Sequence, residues 1–186
     1  MKLANAYLRF KITVMSIHKV FERLFISSAD EYEQERSNLD DAWAIVHAAK
    51  YPYHRDAVGY FGRSAPMGPY YYYKVVGFEM SVNIVDAKDE SFFSKQMMDG
   101  IISFCCFHYS HGKSVLIHCN QGQSRAPILA LLVAKQLGLI TSDFFTAERN
   151  LQGSYYGYCP NEGIRNYAIH HWEDEVPRWE DLNGNR

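Results

Sequence analysis

The sequence predicts an α/β fold in which a central, mostly parallel β-sheet of about four to five strands is flanked by α-helices. Short apolar segments typical of strands alternate along the chain with longer segments that have apolar residues at helical spacing. Residues 114–118, SVLIH, form a short apolar run typical of a strand buried on both faces of a parallel sheet. Residues 125–137, RAPILALLVAKQL, are apolar on almost every side, which predicts a central buried helix.

The first part of the chain predicts strands on either side of a helix. Residues 17–27 alternate well enough to predict one or two strands, and residues 42–49 predict a short buried strand. Between them, Ser28 followed by an acidic stretch predicts a capped helix over residues 28–36. Residues 50–71 are rich in proline, glycine, tyrosine and basic side chains, which predicts a long irregular segment.

The remaining elements continue this alternation. Residues 72–85 predict a strand with a break near Gly77, and a turn with capping residues follows at residues 86–91. Three further helices are predicted from apolar spacing and from capping residues. They span residues 92–108, residues 141–151 with Thr141 or Ser142 at the start, and residues 161 or 162 to about 172, where the last helix ends.

The chain of 186 residues is long enough for one domain with a substantial core. We expect an N-terminal extension over residues 1–14, a single domain over residues 15–172 and an acidic, flexible tail over residues 173–186. No apolar run approaches the roughly 20 residues that a membrane span needs, so we expect no membrane contact.

Composition and charge exclude several classes of function. A net charge of −2, from 19 basic and 21 acidic residues, provides no general attraction for nucleic acid. The histidines show no spacing typical of a metal site, and we expect neither a metal nor another cofactor. Four cysteines are too few for a disulfide framework in this chain, which indicates reduced thiols and a cytoplasmic location. The cysteines are Cys105, Cys106, Cys119 and Cys159.

One loop carries the candidate chemistry. Residues 118–127 read HCNQGQSRAP, so that Cys119 ends the apolar strand and Arg125 begins the central helix. A tight loop between a strand and a helix N-terminus directs backbone amides inward, and the helix dipole adds positive potential, which is typical of an anion site. Gly122 permits a close backbone turn, and Arg125 can hold two phosphate oxygens at once. The same amides would stabilise a Cys119 thiolate, and Ser124 could hydrogen-bond its sulfur.

The sequence HCNQGQSRAP resembles the signature loop of the cysteine-based protein tyrosine phosphatases, specifically the small, atypical dual-specificity type. The resemblance extends over roughly residues 17–170: AWAIVHAAK is similar to the second core strand, and YCPNEGIRNY to the Pro-Asn-x-Gly segment after the signature helix. It implies a three-layer sandwich, with Cys119 as nucleophile, Arg125 as phosphate ligand and Ser124 assisting departure of the thiolate. The implied phosphate loop consists of Asn120, Gln121, Gly122, Gln123, Ser124 and Arg125.

The resemblance also implies a general acid, because the leaving oxygen must be protonated as the P–O bond breaks. In relatives this group is an aspartate about thirty residues before the cysteine, on a loop that follows a strand. Asp86 lies 33 residues before Cys119 and is favoured over Asp89, which lies 30 residues before it. A turn or helix-cap residue is the alternative interpretation of Asp86. Supporting roles are implied for His118 and Asn161.

The sequence therefore predicts a metal-independent phosphomonoesterase that acts through a phosphocysteine, with phosphorylated proteins or peptides as partners and phosphotyrosine as the first candidate. A phosphoinositide or RNA 5′-phosphate substrate is an alternative; phosphoinositide-selective relatives tend to carry lysines inside the loop, which this loop lacks. A non-catalytic phosphate-binding module and a rhodanese-type sulfurtransferase are two more alternatives. Residues 50–72 are either a substrate-recognition flap or a surface loop, and Cys159 is either a redox partner of Cys119 or a packed thiol.

Overall fold

The computed structural model describes residues 17–183, so the expected extension over residues 1–14 lies outside the described residues. A six-stranded sheet forms the centre of this part of the chain. Its strands are β1 His18–Phe21, β2 Leu24–Ser28, β3 Trp43–His47, β4 Tyr73–Val76, β5 Glu79–Val82 and β6 Ser114–Cys119. They lie in the order β1-β2-β6-β3-β5-β4.

The sheet is mostly parallel, as predicted. The four central strands β2, β6, β3 and β5 run parallel, while β1 and β4 pair antiparallel at the two edges. The expected count of four to five strands was too low. Residues 17–27 form two strands, and the predicted break at Gly77, whose φ is +59°, divides residues 72–85 into the β4–β5 hairpin.

Seven α-helices surround the sheet in the described part of the chain. They are α1 Ala29–Glu35, α2 Arg55–Val58, α3 Lys95–Ser110, α4 Arg125–Gln136, α5 Phe144–Ser154, α6 Glu162–His170 and α7 Trp179–Asn183. Short 3₁₀ turns occur at Arg36–Asn38 and Glu90–Phe92, and one π turn occurs at Lys50–His54. Between residues 17 and 183, no helix combines the length and apolar character that crossing a membrane requires.

The alternation of side chains along the strands produces the three layers. On β6, Val115 and Ile117 point into the larger core, which α3, α4, α5 and α6 cover. Leu116 points to the opposite face, where it meets Ile45 of β3 and Tyr32 of α1 in a smaller cluster. The sheet is therefore buried on both faces around β6, and the prediction of a strand enclosed by helices is confirmed.

Helix starts follow the capping side chains. The predicted helix after Ser28 is confirmed: the Ser28 hydroxyl accepts from the Glu31 amide and Glu31 accepts from the Ser28 amide. The predicted start of α3 at residue 92 was wrong, because Ser94 caps the helix. The start of α5 was also wrong: Asp143 accepts from the amide and hydroxyl of Thr146, so the helix begins after both proposed starting residues, Thr141 and Ser142.

Two segments are more regular than the sequence predicted. Residues 50–71, expected to be irregular, begin with the π turn and α2, and buried His54 ties them together through contacts with Tyr60 Oη at 3.2 Å and the Tyr70 carbonyl at 2.9 Å. Helix α6 was expected to be the last, but α7 follows it. Trp179 of α7 contacts the ring of Phe104, which places part of the acidic tail against the core.

Candidate active site

The parallel sheet brings the candidate loop to the carboxyl edge of its central strands. Cys119 is the last residue of β6, pairs in register with Ser28 of β2, and is 1% exposed. Arg125 is the first residue of α4. The five intervening residues turn the chain from the sheet into the helix N-terminus, so the predicted strand–loop–helix arrangement is present.

The guanidinium of Arg125 is buried and fixed by oxygen atoms. Its Nη1 donates to the carbonyl of Ala48 at 2.8 Å and to that of Ile84 at 3.4 Å, and its Nη2 donates to Oδ1 of Asn120 at 2.8 Å. Its Nε is buried and has no hydrogen-bond partner within residues 17–183. A buried cationic donor without an acceptor is costly, so this N–H is suited to an oxygen of a bound anion.

The loop backbone offers further donors. Within the described chain, no carbonyl or side-chain oxygen accepts a hydrogen bond from the amides of residues 120–124. The side chains of Asn120, Gln121 and Gln123 are exposed, whereas Gly122 and Ser124 are buried. Unpaired backbone amides at a helix N-terminus are typical of an anion site, and the exposed side chains around this loop are neutral amides.

Gly122 fits the loop tightly against the start of α1. Its φ is +73°, and a Cβ at this position would lie 2.9 Å from the Ser28 nitrogen and 3.0 Å from the Ser27 carbonyl carbon. On the same side, the Ala29 amide donates to the Asn120 carbonyl at 3.2 Å. Only a residue without a side chain satisfies both the left-handed backbone and this close approach.

A second segment, residues 155–161, also supports the loop. The Tyr155 hydroxyl donates to the Gly122 carbonyl at 3.2 Å, and the Cys159 amide donates to the Gln123 carbonyl at 2.9 Å. The Cys159 thiol is free and exposed, so its known link to the loop is through its backbone. Sequence reasoning missed Tyr155, because a contact between residues this distant in the chain leaves no local pattern.

A charged side chain anchors this supporting segment. Glu148 of α5 accepts from Tyr158 Oη at 2.7 Å and from two nitrogens of Arg165, at 2.6 and 2.7 Å. Burial acts to raise the pKa of the Glu148 carboxyl, but the hydrogen bonds from Arg165 and Tyr158 outweigh it, so this pKa lies below its ordinary value of 4.5. The carboxylate thereby joins α5, the supporting segment and α6.

The two candidate acids occupy different positions. The exposed Asp86 accepts a hydrogen bond through Oδ1 from the Ser124 hydroxyl at 2.6 Å, next to the loop. Asp89 instead caps the Glu90–Phe92 turn by accepting from the Ser91 amide at 2.8 Å. A turn or helix cap was the alternative interpretation of Asp86, and in the structure Asp89 is the residue that caps this turn.

Ser124 and Asn161 join the loop to the segment that carries Asp86. The Asn161 amide donates to the Ser124 hydroxyl at 3.0 Å, and its Nδ2 donates to the Asp86 carbonyl at 3.1 Å. Because the Ser124 hydroxyl donates to Asp86, its proton is not available to the sulfur. Within residues 17–183, no hydroxyl forms a hydrogen bond with Cys119, which differs from the contact that the sequence led us to expect.

His118 is fully buried beneath the loop. Its carbonyl accepts from the Ala48 amide at 2.8 Å, and its Nε2 lies 2.6 Å from Nδ1 of His47. His47 and His118 are register partners in the parallel β3–β6 pair. Sequence reasoning missed His47, although its place at the end of a predicted parallel strand was a usable signal.

Comparison with solved structures identifies the fold. DUSP15 superposes with a TM-score of 0.60 at 15% identity, over 91% of this chain and 96% of that one. The Cydia pomonella PTP-2 phosphatase gives 0.57 at 17% identity, over 84% and 89%. The human tyrosine phosphatase-like serine/threonine/tyrosine-interacting protein gives 0.55 at 13% identity, over 84% and 95%. The chain therefore has the fold of the atypical dual-specificity phosphatases, as predicted.

Sequence comparison adds no closer relative. No family model matches the chain, and no curated protein matches it. Identities this low establish the shared fold, and the chemistry has to be argued from the residues at the site.

The close packing of Gly122 predicts that Gly122→Ala disrupts the loop. The left-handed backbone costs an alanine about 1–2 kcal/mol, and the new methyl group meets backbone atoms that cannot rotate away. A relaxed loop would have to return to the strained backbone in order to bind an anion, which costs about 1.4 kcal/mol or more. We therefore expect titration calorimetry to show inorganic phosphate binding at least about tenfold more weakly.

Gly153→Ala in α5 is the matched control. Its Cβ would meet nothing within 4 Å, so stability in urea should stay unchanged or rise by up to about 1 kcal/mol. Unaltered phosphate binding by Gly122→Ala would contradict the packing described for the loop.

The anchor at Glu148 predicts a pH-dependent loss of stability. Because the pKa of Glu148 is lowered in the folded state, its contribution is complete at neutral pH and disappears as the pH falls below 4.5. We expect Glu148→Gln to lower the free energy of unfolding by about 1–3 kcal/mol at neutral pH, since Arg165 loses a charged acceptor. Urea titrations should show this difference shrinking in acid.

The exposed Glu162→Gln on α6 serves as the control, with a change within about 0.5 kcal/mol. A wild-type-minus-Glu148→Gln difference that stays constant down to acidic pH would argue against the ionised anchor.

Proposed function

We propose that the protein is a metal-independent phosphomonoesterase of the dual-specificity tyrosine phosphatase type, acting through a phosphocysteine on Cys119. The observation that carries this proposal is the set of unpaired donors around Cys119. Arg125 Nε and the amides of residues 120–124 have no acceptor within the described chain. Together they match the oxygens of a phosphoryl group placed over the sulfur.

In the first step, the Cys119 thiolate attacks phosphorus and forms the S–P bond while the P–O bond to the leaving group breaks. Arg125 and the loop amides hold the equatorial oxygens, where charge accumulates. Asp86, protonated, gives its proton to the leaving oxygen, so that an alcohol or phenol departs. The exposed position of Asp86 beside the loop, supported through Ser124 and Asn161, suits this transfer.

In the second step, Asp86 has become a carboxylate and accepts a proton from water. The water oxygen bonds to phosphorus, the S–P bond breaks, and the electron pair returns to the Cys119 sulfur. Inorganic phosphate leaves and the thiolate and protonated Asp86 are restored, so the cycle balances without another reactant.

The proposed substrates are phosphorylated proteins or peptides, with phosphotyrosine as the first candidate. The rim of the loop presents Asn120, Gln121 and Gln123, which are neutral and exposed. These three side chains add no positive charge within the loop, so the loop itself provides less attraction for the highly charged headgroup of a phosphoinositide than lysines would. The start of the 50–72 segment lies beside this rim, because the side-chain Nδ2 of Asn120 donates to the Tyr51 carbonyl at 3.2 Å.

A second candidate function is a phosphate-binding module without turnover. The observation that favours it is the missing hydroxyl contact to Cys119, since a departing thiolate without a donor is a poorer leaving group. Under this alternative the loop still binds phosphate, and the two functions differ in whether a phosphate ester is hydrolysed.

We place this activity in a reducing, cytoplasmic environment. All four cysteines are free thiols in the structure, and the proposed chemistry requires Cys119 to remain reduced.

The proposal predicts hydrolysis of p-nitrophenyl phosphate that persists in the presence of a metal chelator. Cys119→Ser should have no detectable activity, because the nucleophile is absent. Asp86→Ala should lose about 10²–10⁴ in kcat, the usual contribution of general acid–base catalysis, here mainly because water is no longer activated to hydrolyse the phosphocysteine. Steady-state kinetics at matched protein concentration measures all three.

Asp89→Ala is the matched control, since Asp89 caps a turn three residues from Asp86. Its kcat should stay near that of the wild type. A loss in Asp89→Ala with an unaffected Asp86→Ala would move the acid to Asp89. Phosphate binding without any hydrolysis by the wild type would establish the module instead.

A further inference from the structure

A chain of three titratable side chains lies beneath the loop, on the α1 face of the sheet. Glu79 Oε2 lies 3.0 Å from His47 Nε2, and His47 Nδ1 lies 2.6 Å from His118 Nε2. Both imidazoles are buried, at 4% and 0% exposed, while the Glu79 side chain reaches solvent. Neither His47 nor Glu79 has a role in the reaction proposed above.

The contacts decide where the protons lie. A hydrogen bond from His47 is the largest cause that lowers the pKa of Glu79, so Glu79 is an ionised acceptor and His47 Nε2 carries a proton. The second contact, between His47 Nδ1 and His118 Nε2, also needs a proton from one of the two rings. At 2.6 Å two lone pairs would repel each other, so one ring donates, and the unpartnered Nδ1 of His118 makes His118 the donor.

His118 is left with a lone pair on its other ring nitrogen. Burial lowers the pKa of His118 well below 6.5, so its ring stays neutral with one N–H. Its Nδ1 has no hydrogen-bond partner within residues 17–183, which fits a bare nitrogen better than a buried unpaired donor.

Two tyrosine rings prevent the imidazoles from rotating. Tyr32 stacks on His118 with ring centroids 4.4 Å apart and an interplanar angle of 6°. Tyr53 stacks on His47 at 4.7 Å and 6°. Each ring is held between one stacked and one edge contact, and this packing opposes rotation of the ring.

The chain of contacts reaches the loop through neighbouring backbone groups. His118 directly precedes Cys119, and its carbonyl accepts from the Ala48 amide at 2.8 Å. The Ala48 carbonyl in turn accepts from Arg125 Nη1 at 2.8 Å. Residues 47 and 48 therefore touch both the residue before the nucleophile and the phosphate-binding guanidinium.

We propose that His47 and Glu79 are positioning residues for the Cys119 loop. Glu79 places the proton of His47 on Nε2, His47 places the proton of His118 on Nε2, and the base of the loop is thereby held in one arrangement. The assignment of protons rests on the contacts and on the burial of the two imidazoles. Its effect on catalysis rests on the proposed phosphatase function, and its effect on anion binding does not.

The first test is ¹⁵N NMR of the full-length protein with labelled histidine, in which the two neutral tautomers have distinct ring-nitrogen shifts. Signals of His47 and His118 are assigned by their loss in His47→Gln and His118→Gln. We expect both histidines to be Nε2–H in the wild type. In Glu79→Gln the side-chain amide can donate to His47, so the Nδ1–H tautomer of both rings should become populated.

Glu33→Gln is the matched control. Glu33 accepts from Tyr53 Oη at 3.1 Å beside the same two rings, but it forms no hydrogen bond with His47. Removing its charge should leave both tautomers as in the wild type. An Nδ1–H form of His118 in the wild type, or identical tautomers in wild type and Glu79→Gln, would overturn the proposal.

The second test is the binding of inorganic phosphate by calorimetry, which needs no turnover. Glu79→Gln should bind about three- to tenfold more weakly than both wild type and Glu33→Gln, since a loop base with two arrangements is less preorganised. A tautomer change with unaltered phosphate binding would show that His47 and Glu79 do not influence the loop, and it would reject the positioning role. A wild type that binds phosphate but hydrolyses nothing would reject the phosphatase function and leave this result standing.

Discussion

The buried guanidinium of Arg125 is the interaction on which the arrangement of the site depends. A cation withdrawn from water needs oxygen acceptors in fixed positions, and Arg125 obtains them from Ala48, Ile84 and Asn120. Those oxygens come from the ends of two different parallel strands and from the loop itself. The parallel central sheet is what ends these strands at one edge, so the fold and the proposed phosphate site impose the same geometric requirement.

Around that guanidinium the loop is held in advance of any ligand. The start of α1 packs against Gly122, and residues 155–161 donate to three successive loop residues, with Glu148 anchoring the segment behind them. Because these two segments already order the loop, binding an anion costs little conformational entropy. Such preorganised donors are the usual source of charge stabilisation in a transition state.

Local patterns in the sequence predicted the parts of this site that are contiguous in the chain. The strand before Cys119 and the helix after Arg125 are buried on nearly every side in the fold. Burial of this kind requires the apolar runs that the sequence shows. The supporting contacts of Tyr155 and Glu148 join distant segments, and no periodicity reports them. The hydrogen bond from the Ser124 hydroxyl to Asp86 likewise joins two distant segments, because Asp86 follows a separate strand.

The starts of two helices and the helix in the tail were not predicted correctly, for a related reason. Asp143 and Ser94 are the N-caps, although nearby residues have similar capping propensities. Local preference alone does not decide between such residues. In the tail, the acidic composition indicated flexibility, but the Trp179 ring contacts Phe104 and α7 forms around it. The ring contacts of Trp179 with Phe104 and Tyr73 place this part of the tail against the core despite the charges that flank it.

The most direct test of the account is to trap the covalent intermediate. Asp86→Ala mixed rapidly with p-nitrophenyl phosphate removes the group that activates water, while the nitrophenol leaving group needs little protonation. After an acid quench, peptide mass spectrometry should find the phosphoryl group on Cys119. Release of nitrophenol with no phosphoryl group on Cys119, or with one on another residue, would contradict the central claim.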